Sequence, residues 1–430
     1  MQAFCISAVA SNQGKTILTT ALLWHFRDSV RPFKIGPDFI DPQFHTQVCG
    51  TPSVNLDSFI MSEEQMGWVF AHYADKRVAI LEGVMGFYDG ENKGCSAYSV
   101  SRYLAIPTIV VLDGSGSYIT ISAVLQGLLG YKEGNTIQAI VLNKLSSPMH
   151  YALIKSQIEH DHPHIIVLGW IAKNLPSLSD THLGLDLDDL DKIAQISQEV
   201  LEHIELASLE TLTPPLSRPT PSHYPFAPTP KLEKTLAIVN DVNFSFLYHD
   251  NLKFLEAVFE EVIRIDATQD HPIPNHCDVV YIVGGYVESH EAYARIAHAT
   301  RFRESLIAHA QTKPIYAECA GLLYLAKSVD DKTMSGILPL HFTLEPRFTR
   351  LGYYQNEAGI KGHAFHYTKP TPESLERGFD ILSKTPNGRG EVGSWREGKV
   401  FGTYLHTMFR VYPQLWCDSV KGVRSFSTRI

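Results

Sequence analysis

Two α/β domains in tandem, each built on a mostly parallel sheet, are what the sequence predicts, and three observations predict it. In the first half, apolar β-rich runs at 4–9, 31–35, 78–81, 108–112, 137–142 and 165–168 alternate with amphipathic helical stretches such as 16–26, 119–129 and 151–159. Strands that alternate with helices need crossover connections, so they run parallel with helices on both faces of the sheet. Next, Pro214, Pro215, Pro219, Pro221, Pro225, Pro228 and Pro230 crowd residues 211–230. Proline at that density cannot supply ladder donors, which makes the stretch a partly extended linker. Beyond it the alternation resumes, with strands at 236–239, 262–265, 279–283 and 314–318 and a helix at 252–259, before short strands and turns take over past Met334.

The 430 residues exceed one ordinary core at ~150 residues per domain. With 37 Lys and Arg against 46 Asp and Glu, the formal net charge of −9 argues against a nucleic acid or an anionic membrane as partner. Small molecules are the expected partners. Cys5, Cys49, Cys95, Cys277, Cys319 and Cys417 form no CxxC pair, which points away from a zinc site or a disulfide framework and toward a reducing compartment. The start carries no basic n-region, and no apolar run approaches ~18 residues, so neither a signal peptide nor a membrane span is expected. The expected location is cytoplasmic.

Residues 4–9 break into Ala10-Ser-Asn-Gln-Gly-Lys-Thr16, and a helical pattern follows at once. In a strand, loop and helix of this kind, backbone N–H groups and the helix dipole converge on one point. Lys15 adds a full charge there, and the Thr16 hydroxyl is placed to hold Mg²⁺. Asn12, Gln13 and Gly14 complete this candidate nucleotide-phosphate loop. The usual spacing puts a glycine at position 9, where this chain has Val9, so the reading leans on neighbouring residues. Magnesium-nucleotide chemistry needs hard oxygen ligands near the phosphates. Glu82 follows the strand at 78–81 and opens Gly83-Val-Met-Gly86, while Asp38 and Asp41 stand in Lys34-Ile-Gly-Pro-Asp-Phe-Ile-Asp-Pro42. With Lys34 and Asp89 they fall at the C-terminal edge of the sheet, where such folds bind ligands. Asn143, after the strand at 137–142, is a candidate for an adenine edge. The plain alternative for each acid is a helix cap or a solvated turn.

A second chemistry lies in Pro314-Ile-Tyr-Ala-Glu-Cys-Ala-Gly-Leu-Leu-Tyr-Leu325, a strand, a small-residue turn and an apolar helix with Cys319 at the turn. That is a nucleophile elbow. A thiol there stands at a helix N-terminus, whose dipole favours thiolate, and the N–H of Ala320 points where an oxyanion forms. Gly285, in the Gly-Gly pair after a neighbouring strand, is the candidate second donor, because glycine lets an amide approach a substrate closely. His406 in Gly402-Thr-Tyr-Leu-His-Thr-Met408 is the candidate base. A lone cysteine after a strand is more often a small core residue, as Cys277 in its Pro/Asn-rich turn illustrates. Cys319 differs in having the elbow, the Gly-Gly pair and a downstream histidine in one domain.

Gln13-Gly-Lys-Thr16, Pro32-Phe-Lys-Ile-Gly-Pro-Asp-Phe-Ile-Asp-Pro42, Asn55-Leu-Asp57, Glu82-Gly-Val-Met-Gly-Phe-Tyr-Asp-Gly90, Asn143-Lys144, His182-Leu-Gly184, Gly284-Gly-Tyr286, Glu318-Cys-Ala-Gly-Leu322, Gly362-His363, Phe365-His-Tyr367 and Tyr404-Leu-His406 together resemble the cobyrinic acid a,c-diamide synthases. The order and spacing agree from near residue 3 to near residue 410. The resemblance implies an ATP-binding amide synthetase domain over 1–206, similar to the dethiobiotin synthetase type of P-loop fold. It implies a Pro-rich linker over 207–234 and a class I glutamine amidotransferase-like α/β domain over 235–430. The implied substrates are cobyrinic acid, glutamine and ATP with Mg²⁺. The a- and c-acetate carboxylates would pass through acyl phosphates to amides, in cobalamin biosynthesis. Carried over residue by residue, Lys15 and Thr16 match the phosphate loop, and Asp38 and Glu82 the acids at Mg²⁺ and the nucleotide. Asp89 and the stretch Asp38-Phe39-Ile40 match residues that handle substrate. Cys319 matches the nucleophile and His406 its activator. A homodimer is left open.

The chain departs from that pattern at several places. Relatives usually carry glycines in the phosphate loop where this chain has Ala8 and Asn12, although Asn tolerates left-handed φ. The Gly-His-Glu-Phe-His pattern becomes Gly362-His-Ala-Phe-His366, with an acid lost at Ala364. Other class I amidotransferases place a Glu two residues after the histidine. Here that position is Met408, so a Cys–His pair is expected. The rival readings are amidation of hydrogenobyrinic acid or a nickel sirohydrochlorin, and a regulatory nucleotide-binding protein with a degenerate amidotransferase domain.

Overall fold

Apolar runs buried on both faces make the strands of the first half, as helical crossovers require. The computed structural model describes residues 1–175, 180–181, 184–185, 190–212, 214, 221–385 and 388–416. It divides into two units, Met1–Pro225 and Phe226–Ile430. In the first, β1 (Gln2–Ala8), β2 (Val30–Ile35), β3 (Val54–Leu56), β4 (Val78–Gly83), β5 (Thr108–Asp113), β6 (Ile137–Leu145) and β7 (Ile166–Ala172) form one sheet. Its order is β3-β2-β4-β1-β5-β6-β7, and every pair is parallel. A core of Phe4, Ile6, Leu18, Leu22, Ile80, Ile109 and Val141 lies beneath one face. A short ribbon pairs β8 (Asp180–Thr181) with β9 (Gly184–Leu185).

The helix Ile40–Cys49 has no counterpart among the predicted helices, because Pro42 reads as a breaker. Pro42 stands in the first turn, where backbone N–H groups have no intrahelical partner and a proline loses nothing. The first unit also runs past residue 206. Leu209 and Leu212 are buried in its core, and Gln2 Nε2 donates to the Leu209 carbonyl at 2.9 Å. Further on, Tyr224 meets Trp68 edge-on at 5.1 Å. The division at Pro225 therefore falls inside the stretch expected as linker, whose leading leucines are held by the core. Of the predicted features, His182, Leu183, Pro215, Pro219 and Cys417 lie outside the described residues.

In the second unit β10 (Leu232–Val239), β11 (Phe259–Ile265), β12 (Val279–Ile282) and β13 (Ile315–Glu318) lead into β14 (Ser328–Val329), β15 (Lys332–Thr333), β16 (His341–Leu344), β17 (Arg350–Asn356), β18 (Lys361–His366), β19 (Thr368–Pro370), β20 (Gly378–Lys384), β21 (Gly390–Glu397) and β22 (Val400–Thr403). The large sheet has the order β11-β10-β12-β13-β22-β21-β20-β17-β18. Its pairs are parallel from β11 to β22 and antiparallel beyond. A smaller sheet, β15-β14-β16-β19, stands beside it. The parallel pair β13 and β22 decides the site, because its register sets Glu318 opposite Thr403.

Candidate active sites

In the first unit β1 ends at Ala8, so Val9 already belongs to the loop, and the helix Lys15–His25 starts after Gly14 at φ 96°. Asn12 sits at φ 60°, a left-handed conformation that asparagine tolerates, so its departure from glycine costs the loop little. A Cβ on Gly14 would come within 2.2 Å of Asn143 Nδ2. That amide donates to the Gln13 carbonyl at 2.8 Å, while Asn143 Oδ1 accepts the Lys144 N–H at 2.8 Å. Asn143 thus braces the phosphate loop. Lys15 Nζ folds back to the Ala10 carbonyl at 3.0 Å. Burial lowers its pKa, with Glu82 pulling the other way.

Thr16 Oγ1 donates to Glu82 Oε1 at 2.9 Å. Glu82 lies inside strand β4 and is fully buried, with Lys34 Nζ 3.3 Å from Oε1 and His45 Nε2 2.8 Å from Oε2. Lys34 also pairs with Asp41 and, at 3.6 Å, with Asp38 Oδ2. Burial alone would push the Glu82 carboxyl up, but Lys34, His45 and the Thr16 hydroxyl together hold it well below its ordinary value. Lys34 is the mirror case: burial pulls it down, and Asp41, Glu82 and Asp38 more than reverse that. Asp41, where burial wins, is pushed up to about 6.

Asp38 divides its work. Its Oδ1 accepts the N–H groups of Ile40 at 2.8 Å and Asp41 at 3.1 Å, capping the helix Ile40–Cys49, as the plain reading of an acid in a turn has it. Asp89 Oδ2 accepts the Gly86 N–H at 2.8 Å. Because Phe87 N–H reaches the Ala8 carbonyl at 2.8 Å, the turn after β4 packs on the phosphate loop. Among the described residues no three His, Cys, Asp or Glu side chains converge as a metal cage. The donors still suit Mg²⁺, which takes one or two carboxylates and fills its shell with water and phosphate oxygens. The Thr16 hydroxyl and Glu82 Oε1 already share one spot.

In the second unit Cys319 stands at φ 45° and ψ −104° between β13 and the helix Ala320–Leu325. This is the strained elbow that the sequence implies. Its N–H is held by the Thr403 carbonyl at 2.8 Å, its thiol donates to the Phe365 carbonyl at 3.8 Å, and the backbone N–H groups of Ala320 and Gly285 face the sulfur closely enough to pull its pKa down. A side chain at position 285 would put a Cβ 2.0 Å from the Asn243 carbonyl oxygen, so only glycine brings that amide here. Burial pushes the thiol well up, Glu288 and Glu318 add to this, and the two N–H groups oppose it. Burial thus draws the thiol toward its neutral form, against the pull toward thiolate that a place at a helix N-terminus exerts. The helix behind the thiol spans only Ala320–Leu325, and desolvation outweighs its dipole.

His406, the candidate base, is held by an acid. His406 Nδ1 lies 3.2 Å from Glu318 Oε2, and the ring fills the space that a Cβ on Gly284 would take, 2.2 Å from Cε1. Glu318 in turn accepts the hydroxyls of Tyr281 at 3.0 Å and Tyr316 at 3.2 Å. Met408 offers no acid after the histidine, and the acid that meets the imidazole is Glu318, which precedes the cysteine. A charged residue closing the otherwise apolar strand Ile315–Glu318 was the available signal. No local pattern marks His45, whose helix opens on a turn that contains Pro42. Gly362 lets β18 approach, since a Cβ there would lie 2.2 Å from the His406 carbonyl oxygen, and Ala364 is fully buried in the apolar core. Cys277 is a buried thiol, with its pKa pushed up to about 11 by burial.

A phosphate loop with a buried Lys–Glu–Thr cluster on one unit, and an elbow thiol with paired amide donors on the other, define a glutamine-dependent amide-forming ligase. Residues 235–413 match the CobB/CobQ-like glutamine amidotransferase domain. The chain is 33% identical to a cobyrinate a,c-diamide synthase of Streptococcus sanguinis, over 98% of this chain and 99% of that one. It is 34% identical to the Fusobacterium nucleatum enzyme of the same name over 95% and 98%, and 30% identical to that of Salmonella typhimurium over 96% and 96%. The chain belongs to the cobyrinate a,c-diamide synthase family. Among the described residues no helix is long and apolar enough to cross a membrane.

Proposed function

We propose that this chain amidates the a- and c-acetate carboxylates of cobyrinic acid with ATP and glutamine, a step of cobalamin biosynthesis. The observation that carries this is kinship at 33% identity over 98% of the chain with an enzyme of that name. A carboxylate resists nucleophiles, so its oxygen must first become a leaving group. In the first unit the substrate carboxylate attacks the γ-phosphorus of ATP, giving an acyl phosphate and ADP. Lys15, Lys34 and the backbone N–H groups of Asn12, Gln13 and Gly14 offset the phosphate charge. Thr16, Glu82 and Asp38 would hold Mg²⁺, which supplies further charge neutralisation when bound. Asp38, Phe39, Ile40 and Asp89 are assigned to handling the macrocycle.

Ammonia is mostly protonated near neutral pH, so it must be released fresh. In the second unit Cys319 gives its proton to His406 and attacks the glutamine carboxamide. The Gly285 and Ala320 N–H groups take the oxyanion, and His406 returns the proton to the departing ammonia. Water then hydrolyses the thioester to glutamate. Glu318 orients the imidazole through Nδ1 and stabilises its cation, which assigns proton exchange to Nε2. Ammonia displaces phosphate from the acyl phosphate and leaves the amide. Cytoplasmic placement belongs to the same reading, supported by Cys5, Cys49, Cys95, Cys277 and Cys319 all being free thiols.

The test is to incubate the purified chain with glutamine and Mg-ATP, and in parallel with cobyrinic acid, hydrogenobyrinic acid or a nickel sirohydrochlorin, with mass analysis of the products. The expected result is a diamide of cobyrinic acid with matching glutamate and ADP. A diamide from another tetrapyrrole alone would move the substrate assignment. Glutamate without ADP would leave only the amidotransferase half. No diamide and no glutamate, with Cys319→Ala changing nothing, would overturn the reading.

A further inference from the structure

The turn after β12 carries Gly284 and Gly285 and, three residues on, Glu288. Three residues of chain reach at most ~11 Å, so Glu288 is tethered to the thiol site by its own backbone. Its side chain is buried at 8% exposure, and its charge bears on both the Cys319 thiol and the Tyr404 hydroxyl. Oε2 accepts the Val287 N–H at 2.9 Å. Among the described residues Glu288 makes no ion pair. Lys332, the cation whose influence reaches it, is engaged with Asp331 at 3.6 Å.

A buried carboxylate with no cation is costly to keep. A negative charge beside a thiol that must ionise also opposes the first step of the chemistry. Both penalties ease once a cation sits against the Glu288 carboxylate. Glutamine carries one such group, its α-ammonium. We propose that Glu288 receives the α-ammonium group of substrate glutamine, and so selects free α-amino acid amides over other carboxamides. The proposal rests on the amidotransferase reading above and adds which part of glutamine is recognised. It also couples occupancy to reactivity. With the ammonium seated, the thiol no longer faces a lone negative charge, so Cys319 ionises when a substrate is there to meet it.

The experiment compares glutamine with glutaramic acid, which is glutamine without its α-ammonium, as substrates of the full chain and of Glu288→Gln, with Mg-ATP and cobyrinic acid present. Wild type should prefer glutamine in kcat/KM by roughly tenfold to a hundredfold, the range for a charge-assisted hydrogen bond. Glu288→Gln should raise KM for glutamine by a similar factor, leave kcat within a few-fold, and bring the ratio between the two substrates close to one. Alkylation of Cys319 by iodoacetamide, followed on its own peptide, should shift to lower pH in the variant and also reports whether the variant has folded. If the substrate ratio and the alkylation profile are the same in both proteins, the inference is wrong while the amidotransferase reading stands. If wild type yields no glutamate from glutamine, that reading fails first.

Discussion

Glu318 and Glu82 are fully or nearly fully buried acids, and each site turns on one of them. Glu318→Gln keeps the shape but removes the charge that steadies the His406 cation. Glutamine hydrolysis should fall by roughly 10²-fold or more, while amidation with added ammonium is unchanged. Unimpaired hydrolysis would remove Glu318 from the set. Glu82→Gln should impair amidation from glutamine and from ammonium alike, and normal activity with either would take Glu82 out of the nucleotide site. The Glu82 carboxyl is also held below its ordinary value in the folded chain, so folding releases its proton. The stability this contributes is complete above the ordinary glutamate pKa of about 4.3 and is lost as pH falls below it. Acid unfolding curves of wild type should therefore steepen below that pH, and those of Glu82→Gln should be flatter. Cys319 and His406 were legible because their chemistry demands rare residue types at a turn. Glu318 shows locally only as a charge closing an apolar strand, and which residue it meets is set by the β13–β22 register.

The phosphate loop depends on an element distant in sequence. A Cβ on Gly86 would lie 2.3 Å from the Val9 carbonyl oxygen, so Gly86→Ala must push the turn after β4 off the loop that it supports. ATP affinity measured by calorimetry should drop about tenfold, the cost of a shift worth ~1.4 kcal/mol, with glutamine hydrolysis retained. An unchanged affinity would mean that the two loops are independent. Most parallel strands fall near the predicted runs, since a run such as Ile80 to Leu81 or Val280 to Ile282 is apolar on both faces and admits little else, whereas the three-residue β3 and the antiparallel strands β17, β18, β20 and β21 have no delimited counterpart in the sequence reading. What escaped was set by tertiary contact: the helix Ile40–Cys49 behind a tolerated Pro42, the brace from Asn143, and the attachment of Leu209 and Leu212 that carries the first unit beyond residue 206.

Across the whole molecule, the proposed reading gives nitrogen release and carboxylate activation to separate units, and substitution should separate them. Cys319→Ser should abolish the use of glutamine and spare synthesis from ammonium, as judged by product mass under both nitrogen sources. Loss of both would mean that the division of labour is wrong. The buried, protonated state of the Cys319 thiol has one more consequence. Peroxide attacks thiolates, not thiols, so a nucleophile held in its neutral form between turnovers is a poor target for oxidants. An idle molecule would then outlast a working one under oxidative stress, its sulfur most at risk during the brief interval in which it is ionised.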